Sequence, residues 1–314
     1  MAIVGVGSIG GIILGALADT DAEIICISRG NTSASLSQLG LVLHTPEGSI
    51  EVVPSERYTL VDSNSGPLSD NIRNTCDVAI VCGKTVDNPV LSELALGLVS
   101  ENGCVLTIQN GLGNAELLAH KFGRERVIVG SITHAAWRNS HSEVNWVGRG
   151  EIILGPLHET GEVYIDSILD ILNEAELNAS KSDDIQQLLW KKLLINVAIN
   201  PVCSIAGVRN GALLEVTSLW QQAMLAMREA ATVARASGVD LGNLNLEEYL
   251  REVVSISPEN RCSMLQDIMS GRETEIDSLC GAVVMRGEAE GIPTPCNALL
   301  HGLVKGIEKS SNFD

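Results

Sequence analysis

An α/β fold joined to a separate all-helical part is the class this chain predicts, and three observations carry the prediction. Gly5-Val6-Gly7-Ser8-Ile9-Gly10 stands between a short apolar run and a helical pattern, where a dinucleotide-binding strand-turn-helix places its phosphate loop. Apolar runs of strand length then alternate with helical stretches, as a parallel sheet covered on both faces requires. Near Ser182 the strand patterns end and helical periodicity takes over. The expected organisation is an N-terminal Rossmann-like dinucleotide-binding domain over residues 1–182 and a C-terminal all-helical domain over residues 183–314. At 314 residues the chain is long enough to bury two cores.

The first element is the glycine turn and the helix Ile9 to Ala18. Gly5 allows the tight turn, Gly7 lets backbone approach a pyrophosphate, and Gly10 lets the helix pack closely on the strand. The anion would sit on the helix N-terminus, where N–H groups and the helix dipole favour negative charge. Ala2 to Ala18 has no basic leader and is too short to span a bilayer, so it reads as strand plus helix and not as a signal sequence. Ala22 to Ile27 is the second strand. An enzyme preferring NAD usually ends this strand in Asp or Glu, which accepts the ribose 2′-hydroxyl; here Ser28-Arg29-Gly30 holds the place. The planar donor fork of Arg29 suits a 2′-phosphate, so the predicted cofactor is NADP, used as NADPH.

Thr45-Pro46-Glu47-Gly48 between two short alternating runs predicts a hairpin over Leu41 to Val53. Val78 to Cys82 and Val105 to Ile108 read as buried strands. They are followed by Gly83-Lys84 and by Gln109-Asn110-Gly111-Leu112-Gly113. Ligands of open α/β sheets bind beyond the carboxyl ends of strands, which makes Lys84 and Asn110 candidates, although Asn-Gly is also an ordinary turn signal. Strand patterns at Val127 to Val129, Val144 to Val147 and Ile152 to Leu154, and a helix over Val163 to Glu174, complete this part.

Helical periodicity in the second part covers Ile185 to Ile199, Ala212 to Ser237, Leu246 to Val254 and Ser263 to Glu290. Lys192, Asn196 and Asn200 recur every four residues and so lie along one slowly turning face. A polar stripe on an otherwise apolar helix is costly unless its groups find partners, so it is expected to line a cleft. Pro201 disfavours the α conformation at Asn200 and predicts a helix end there.

The net charge of −18 and pI near 4.7 argue against non-specific binding to nucleic acid or to an anionic membrane. Eight scattered cysteines without a C-x-x-C, and six dispersed histidines, predict reduced thiols in a cytoplasmic protein and no metal site.

With the glycine turn, Lys84, Gln109 to Gly113, Thr133-His134-Ala135-Ala136, Lys192 to Pro201, Asn260-Arg261-Cys262-Ser263-Met264-Leu265-Gln266-Asp267 and Thr274-Glu275-Ile276-Asp277, nearly the whole chain resembles the ketopantoate reductases, or 2-dehydropantoate 2-reductases. The resemblance implies reduction of 2-dehydropantoate to pantoate by NADPH, a step toward pantothenate and coenzyme A. It implies Lys192 as general acid, Glu275 as the group holding the substrate 4-hydroxyl, and Ser263 as a carboxylate contact. It further implies substrate contacts from Asn110, Asn196, Asn200 and Asn260. Lys84, Asn110 and Glu275 would border the cofactor, beside Arg29 and the turn residues Gly5, Val6, Gly7, Ser8, Ile9 and Gly10.

The chain departs from the family pattern in two places. Its first strand is a few residues shorter, as a truncated start or a weaker strand would give, and Lys84 lacks the aromatic often found just beyond it. Two other readings stand beside this one: a related NADP-dependent reductase of another 2-oxo acid, and a non-catalytic NADP-binding sensor, which would have no need of Lys192. The expected partner is a small 2-oxo acid, with a homodimer permitted.

Overall fold

The computed structural model describes residues 1–310, which divide into two compact units. The first comprises Met1–Gln109 and Asn114–Ile185; the second comprises Asn110–Gly113 and the chain from Gln186 onward.

The first unit opens with β1 (Ala2–Val4), α1 (Ser8–Ala18), β2 (Ile25–Ser28) and α2 (Gly30–Leu39). The hairpin of β3 (Leu41–His44) and β4 (Ile50–Val53) follows, paired antiparallel as the Thr45-to-Gly48 signal predicts. Next come β5 (Thr59–Asp62), β6 (Cys76–Val81), α3 (Asn88–Leu98), β7 (Val99–Thr107) and α4 (Asn114–Phe122). The unit ends with β8 (Val127–Ile132), β9 (Ala135–Arg138), β10 (Glu143–Gly148), β11 (Ile152–Pro156), α5 (Ile165–Glu174) and β12 (Ala179–Lys181).

Eight strands form one sheet in the order β12-β11-β8-β7-β6-β1-β2-β5, parallel except where β11 meets β8. Ile3 stands opposite Cys26 on one side and Ile80 on the other, so β1 is central and fully buried, as its apolar sequence requires. The remaining four strands make a second sheet, β4-β3-β10-β9. α1 is buried nearly all round, and glycines let it approach the small sheet: a Cβ on Gly11 would stand 2.7 Å from Val144, and one on Gly15 2.6 Å from Leu43. The helix expected from Val163 begins two residues later, because His158 caps a 3-10 turn over Glu159–Tyr164 by accepting from the Thr160 N–H.

The second unit is helical throughout: α6 (Ile185–Ala206), α7 (Ala212–Glu215), α8 (Thr217–Ala236), α9 (Leu246–Ile256), α10 (Ser263–Met269), a π-helical turn at Asp277–Gly281, α11 (Ala282–Glu290) and α12 (Pro295–Ser310). Its core gathers Trp190, Leu193, Leu194, Val197, Met227, Leu250, Leu279 and Val304, separate from the core of the first unit.

Three sequence expectations fail here, the first being the helix over Ala212 to Ser237, which is split into α7 and α8 where Val216 takes an extended conformation (φ −116°, ψ 102°). α6 does not stop at Asn200 but runs to Ala206 with Pro201 inside it. An interior proline costs about 3 kcal/mol, yet Val197, Ile199 and Val202 are all at least 95% buried around it, and each such side chain contributes roughly 1.5–3 kcal/mol. The single helix expected over Ser263 to Glu290 is broken after Met269, where Gly271 takes φ +62° and an irregular segment leads to the π turn.

Candidate active site

In the first unit, the turn after β1 has the geometry its glycines predict. Gly5 takes φ +100°, and a Cβ there would lie 2.6 Å from the Gly83 backbone, so both conformation and space demand glycine. A Cβ on Gly10 would strike the Gly5 carbonyl, whereas one on Gly7 would meet nothing within 4 Å. The Gly5 and Val6 N–H groups donate to the Ile27 carbonyl at 3.0 and 3.3 Å, tying the turn to β2. Gly7 caps α1 without a side-chain bond and the first helical turn carries no acid, so its N–H groups and dipole remain suited to an anion. Open space over Gly7 and a helix start without acids fit the diphosphate of a dinucleotide.

Ser28 ends β2, and its buried Oγ has no hydrogen-bond partner. Arg29 caps α2 and extends into solvent, 64% exposed, where it pairs with Asp87 at 2.7 Å. Arg138 reaches the first turn of α2 by donating to Thr32 Oγ1 at 3.3 Å. Lys84 caps the 3-10 turn Thr85–Asp87 that follows β6.

A buried amide network that sequence reasoning missed fixes this loop. Gln109 Nε2 donates to the Gly83 carbonyl and to Asn88 Oδ1, both at 2.6 Å; Asn88 Nδ2 donates to Asn114 Oδ1 at 2.7 Å. Gln109 opens the loop that runs to Gly113, but nothing in one sequence pairs it with Gly83 and Asn88, more than twenty positions away. His134 is structural. Its Nε2 bonds the Leu177 carbonyl at 3.0 Å, its Nδ1 accepts from the Gly150 N–H at 3.0 Å, and burial lowers its pKa.

In the second unit, α6 carries Lys192 and Asn196, half-buried, and Asn200, 8% exposed. The loop Asn110–Gly113 packs with this unit: the Leu112 N–H donates to the Ser278 carbonyl at 2.9 Å, and Asn110 Nδ2 donates to Glu275 Oε2 at 3.1 Å. Gly111 takes φ +83°, and any Cβ would strike the Ser278 carbonyl. The loop therefore seats on the π turn only with glycine at this position.

Burial pushes the Lys192 ammonium down to about 8, against the opposing pull of the Glu275 carboxylate. An ammonium poised near neutrality is matched to giving up a proton. Cys262 joins α6 to the segment before α10: its Sγ donates to the Asn200 carbonyl at 3.6 Å and lies 3.5 Å from Ser204 Oγ. Asn260 and Ser263 flank this anchor and are exposed.

Asn110, Lys192 and Glu275 thus form one group, and Asn200 joins Asn260 and Ser263 through Cys262. The turn residues Gly5 to Gly10, Arg29 and Lys84 belong to the first unit.

Comparison with known proteins supplies a family. The model described as "Ketopantoate reductase PanE/ApbA" matches residues 1–159, and that of its C-terminal part matches residues 184–308. A 2-dehydropantoate 2-reductase of Halobacterium salinarum is 31% identical over 301 residues, 96% of each chain. Its counterpart in Pyrococcus abyssi is 27% identical over 98% of this chain and 97% of its own. The crystal structure of a PanE/ApbA family ketopantoate reductase from Ralstonia eutropha superposes with a TM-score of 0.87 at 29% identity over 99% of both chains. D-mandelate dehydrogenase with NADH and anilino(oxo)acetate gives 0.89 over 99% of both chains at 24% identity, a likeness of fold.

Proposed function

The chain belongs to the ketopantoate reductase family, and from that premise we propose that it reduces the C2 ketone of 2-dehydropantoate to the alcohol of pantoate, with NADPH as reductant, on the route to pantothenate and coenzyme A. The single observation that carries this reading is the half-buried Lys192, its pKa lowered to about 8, facing a carboxylate that Asn110 holds.

A reduced nicotinamide bound by the first unit would supply the hydride. The ketone oxygen then gathers negative charge, and Lys192 polarises it beforehand and donates the proton, an interaction stronger in the transition state than in the ground state. Glu275 keeps Lys192 charged and accepts the substrate 4-hydroxyl, while Asn110 orients Glu275. Ser263 and Asn260 receive the substrate carboxylate end, with Asn196 and Asn200 along the same α6 face. Gly5 to Gly10 would hold the diphosphate, Lys84 would border the cofactor, and Arg29 would bind the 2′-phosphate.

The test is NADPH oxidation with 2-dehydropantoate beside 2-oxo acids that lack the 4-hydroxyl. A carboxylate left without its hydroxyl partner is penalised by about 1 to 3 kcal/mol, so the analogues should be poorer by roughly five- to a hundredfold in kcat/KM. Glu275→Ala should penalise 2-dehydropantoate far more than the analogues and narrow the gap. Equal losses on both would favour a reductase of 2-oxo acids in general.

A further inference from the structure

Glu275 is held at its backbone from several sides. The Ser278 and Leu279 N–H groups both donate to its carbonyl at 3.1 Å, and Ser278 Oγ donates to it at 3.0 Å. These bonds close the start of the π turn, but they leave the residue before Glu275 to be fixed by something else.

That something is a carboxylate from the last helix. Glu308 Oε1 accepts from the Thr274 N–H at 2.7 Å and from Thr274 Oγ1 at 2.6 Å, and Thr274 Oγ1 in turn accepts from the Ile276 N–H at 3.2 Å. The Glu308 side chain is only 8% exposed, and Lys305 balances its charge at 2.9 Å. On the other side of Glu275, Asp277 is clamped by His301 at 2.6 Å and by Lys305 at 3.1 Å. Three residues of α12, His301, Lys305 and Glu308, therefore grip Thr274 and Asp277, one on either side of Glu275. Charge-assisted bonds to a buried carboxylate are among the stronger fixed contacts a loop can have.

We infer that Glu308 is a positioning residue for the reaction: through Thr274 it holds the carboxylate of Glu275 where Asn110 and Lys192 meet it. The inference rests on the reading of Glu275 as acceptor of the substrate hydroxyl. Glu308 acts through Thr274 and Lys305, neither of them a reacting group.

The test compares Glu308→Ala with Glu308→Gln, whose amide oxygen can still accept both Thr274 bonds. Glu308→Ala should raise KM for 2-dehydropantoate about tenfold with a smaller change in kcat, leave an analogue without the 4-hydroxyl unaffected, and be rescued by Gln. Equal losses on both substrates, or no rescue by Gln, would overturn the inference. If Glu308→Ala does not fold, Thr274→Val should shift KM and discriminate between the two substrates in the same sense, because with little change of shape it removes both the Oγ1 bond to Glu308 and the one from the Ile276 N–H.

A second readout needs no substrate. In protein carrying 15N-lysine, NMR titration of Lys192 should fall by about half a pH unit or more in Glu308→Ala, since a displaced Glu275 no longer supports the ammonium. An unchanged titration overturns the inference. If the wild type itself fails to discriminate by the hydroxyl, the proposed role of Glu275 in substrate choice falls, and the Lys192 titration still decides whether Glu308 positions it.

Discussion

Lys192 is the residue whose environment says most about its task. Its folded pKa near 8 means that the acid form predominates below that pH and is lost above it. If it donates the proton, kcat/KM should fall as pH rises through about 8, and Lys192→Ala should lower kcat by roughly a hundredfold or more while NADPH still binds. A pH–rate profile beside a fluorescence titration of NADPH checks both halves. Arg29 is a second such residue, because its ion pair with Asp87 at 2.7 Å occupies the guanidinium that the 2′-phosphate would use. Arg29→Ala should lose about ten- to a hundredfold in preference for NADPH over NADH. Asp87→Asn should move NADPH affinity the other way, and kcat/KM for both cofactors in both variants decides the matter. The Arg at the end of the second strand was legible in the sequence, but its ion-pair partner, 58 positions further on, was not.

At the scale of elements, the glycine turn makes a prediction that separates folding from binding. Gly5→Ala must strain a φ of +100° and push into Gly83, so it should destabilise the protein by about 1–3 kcal/mol, seen as a lower Tm. Gly7→Ala meets nothing within 4 Å and should leave Tm nearly unchanged while weakening NADPH binding. Strands and turns of this kind were legible because local chemistry dictates them: a glycine with no room for a Cβ, a Thr-Pro-Glu-Gly hairpin, an apolar β6. The course of α6 past Pro201 was not legible, since the burial that outweighs the proline is tertiary. The break after Met269 was missed for a related reason, as helical periodicity runs through the gap that Gly271 opens. β5 and β12 are edge strands of four and three residues, too short to leave a periodic signal.

On the scale of the whole molecule, the change from alternating strand and helix to helix alone was legible, and with it the presence of two cores. Stability should carry the signature of Lys192 as well. Its folded pKa of about 8 lies below the ordinary lysine value of 10.5, so the unfolded chain binds more protons between those two pH values and this group's contribution to stability rises with pH across that window. Lys192→Met should therefore be more stable than wild type at pH 7, and the difference should shrink by pH 10; denaturant unfolding at the two pH values measures it. The loop Asn110–Gly113 adds a consequence of another kind. Four residues that lie in sequence within the first unit complete the second, with Leu112 buried in the helical core. A chimaera that grafts the helical part of a relative onto this chain at Gln186 would inherit a host loop matched to the wrong Ser278 and Glu275. The heritable module is thus discontinuous: the splice that preserves the bond between Asn110 and Glu275 has two pieces, and the shorter is four residues long.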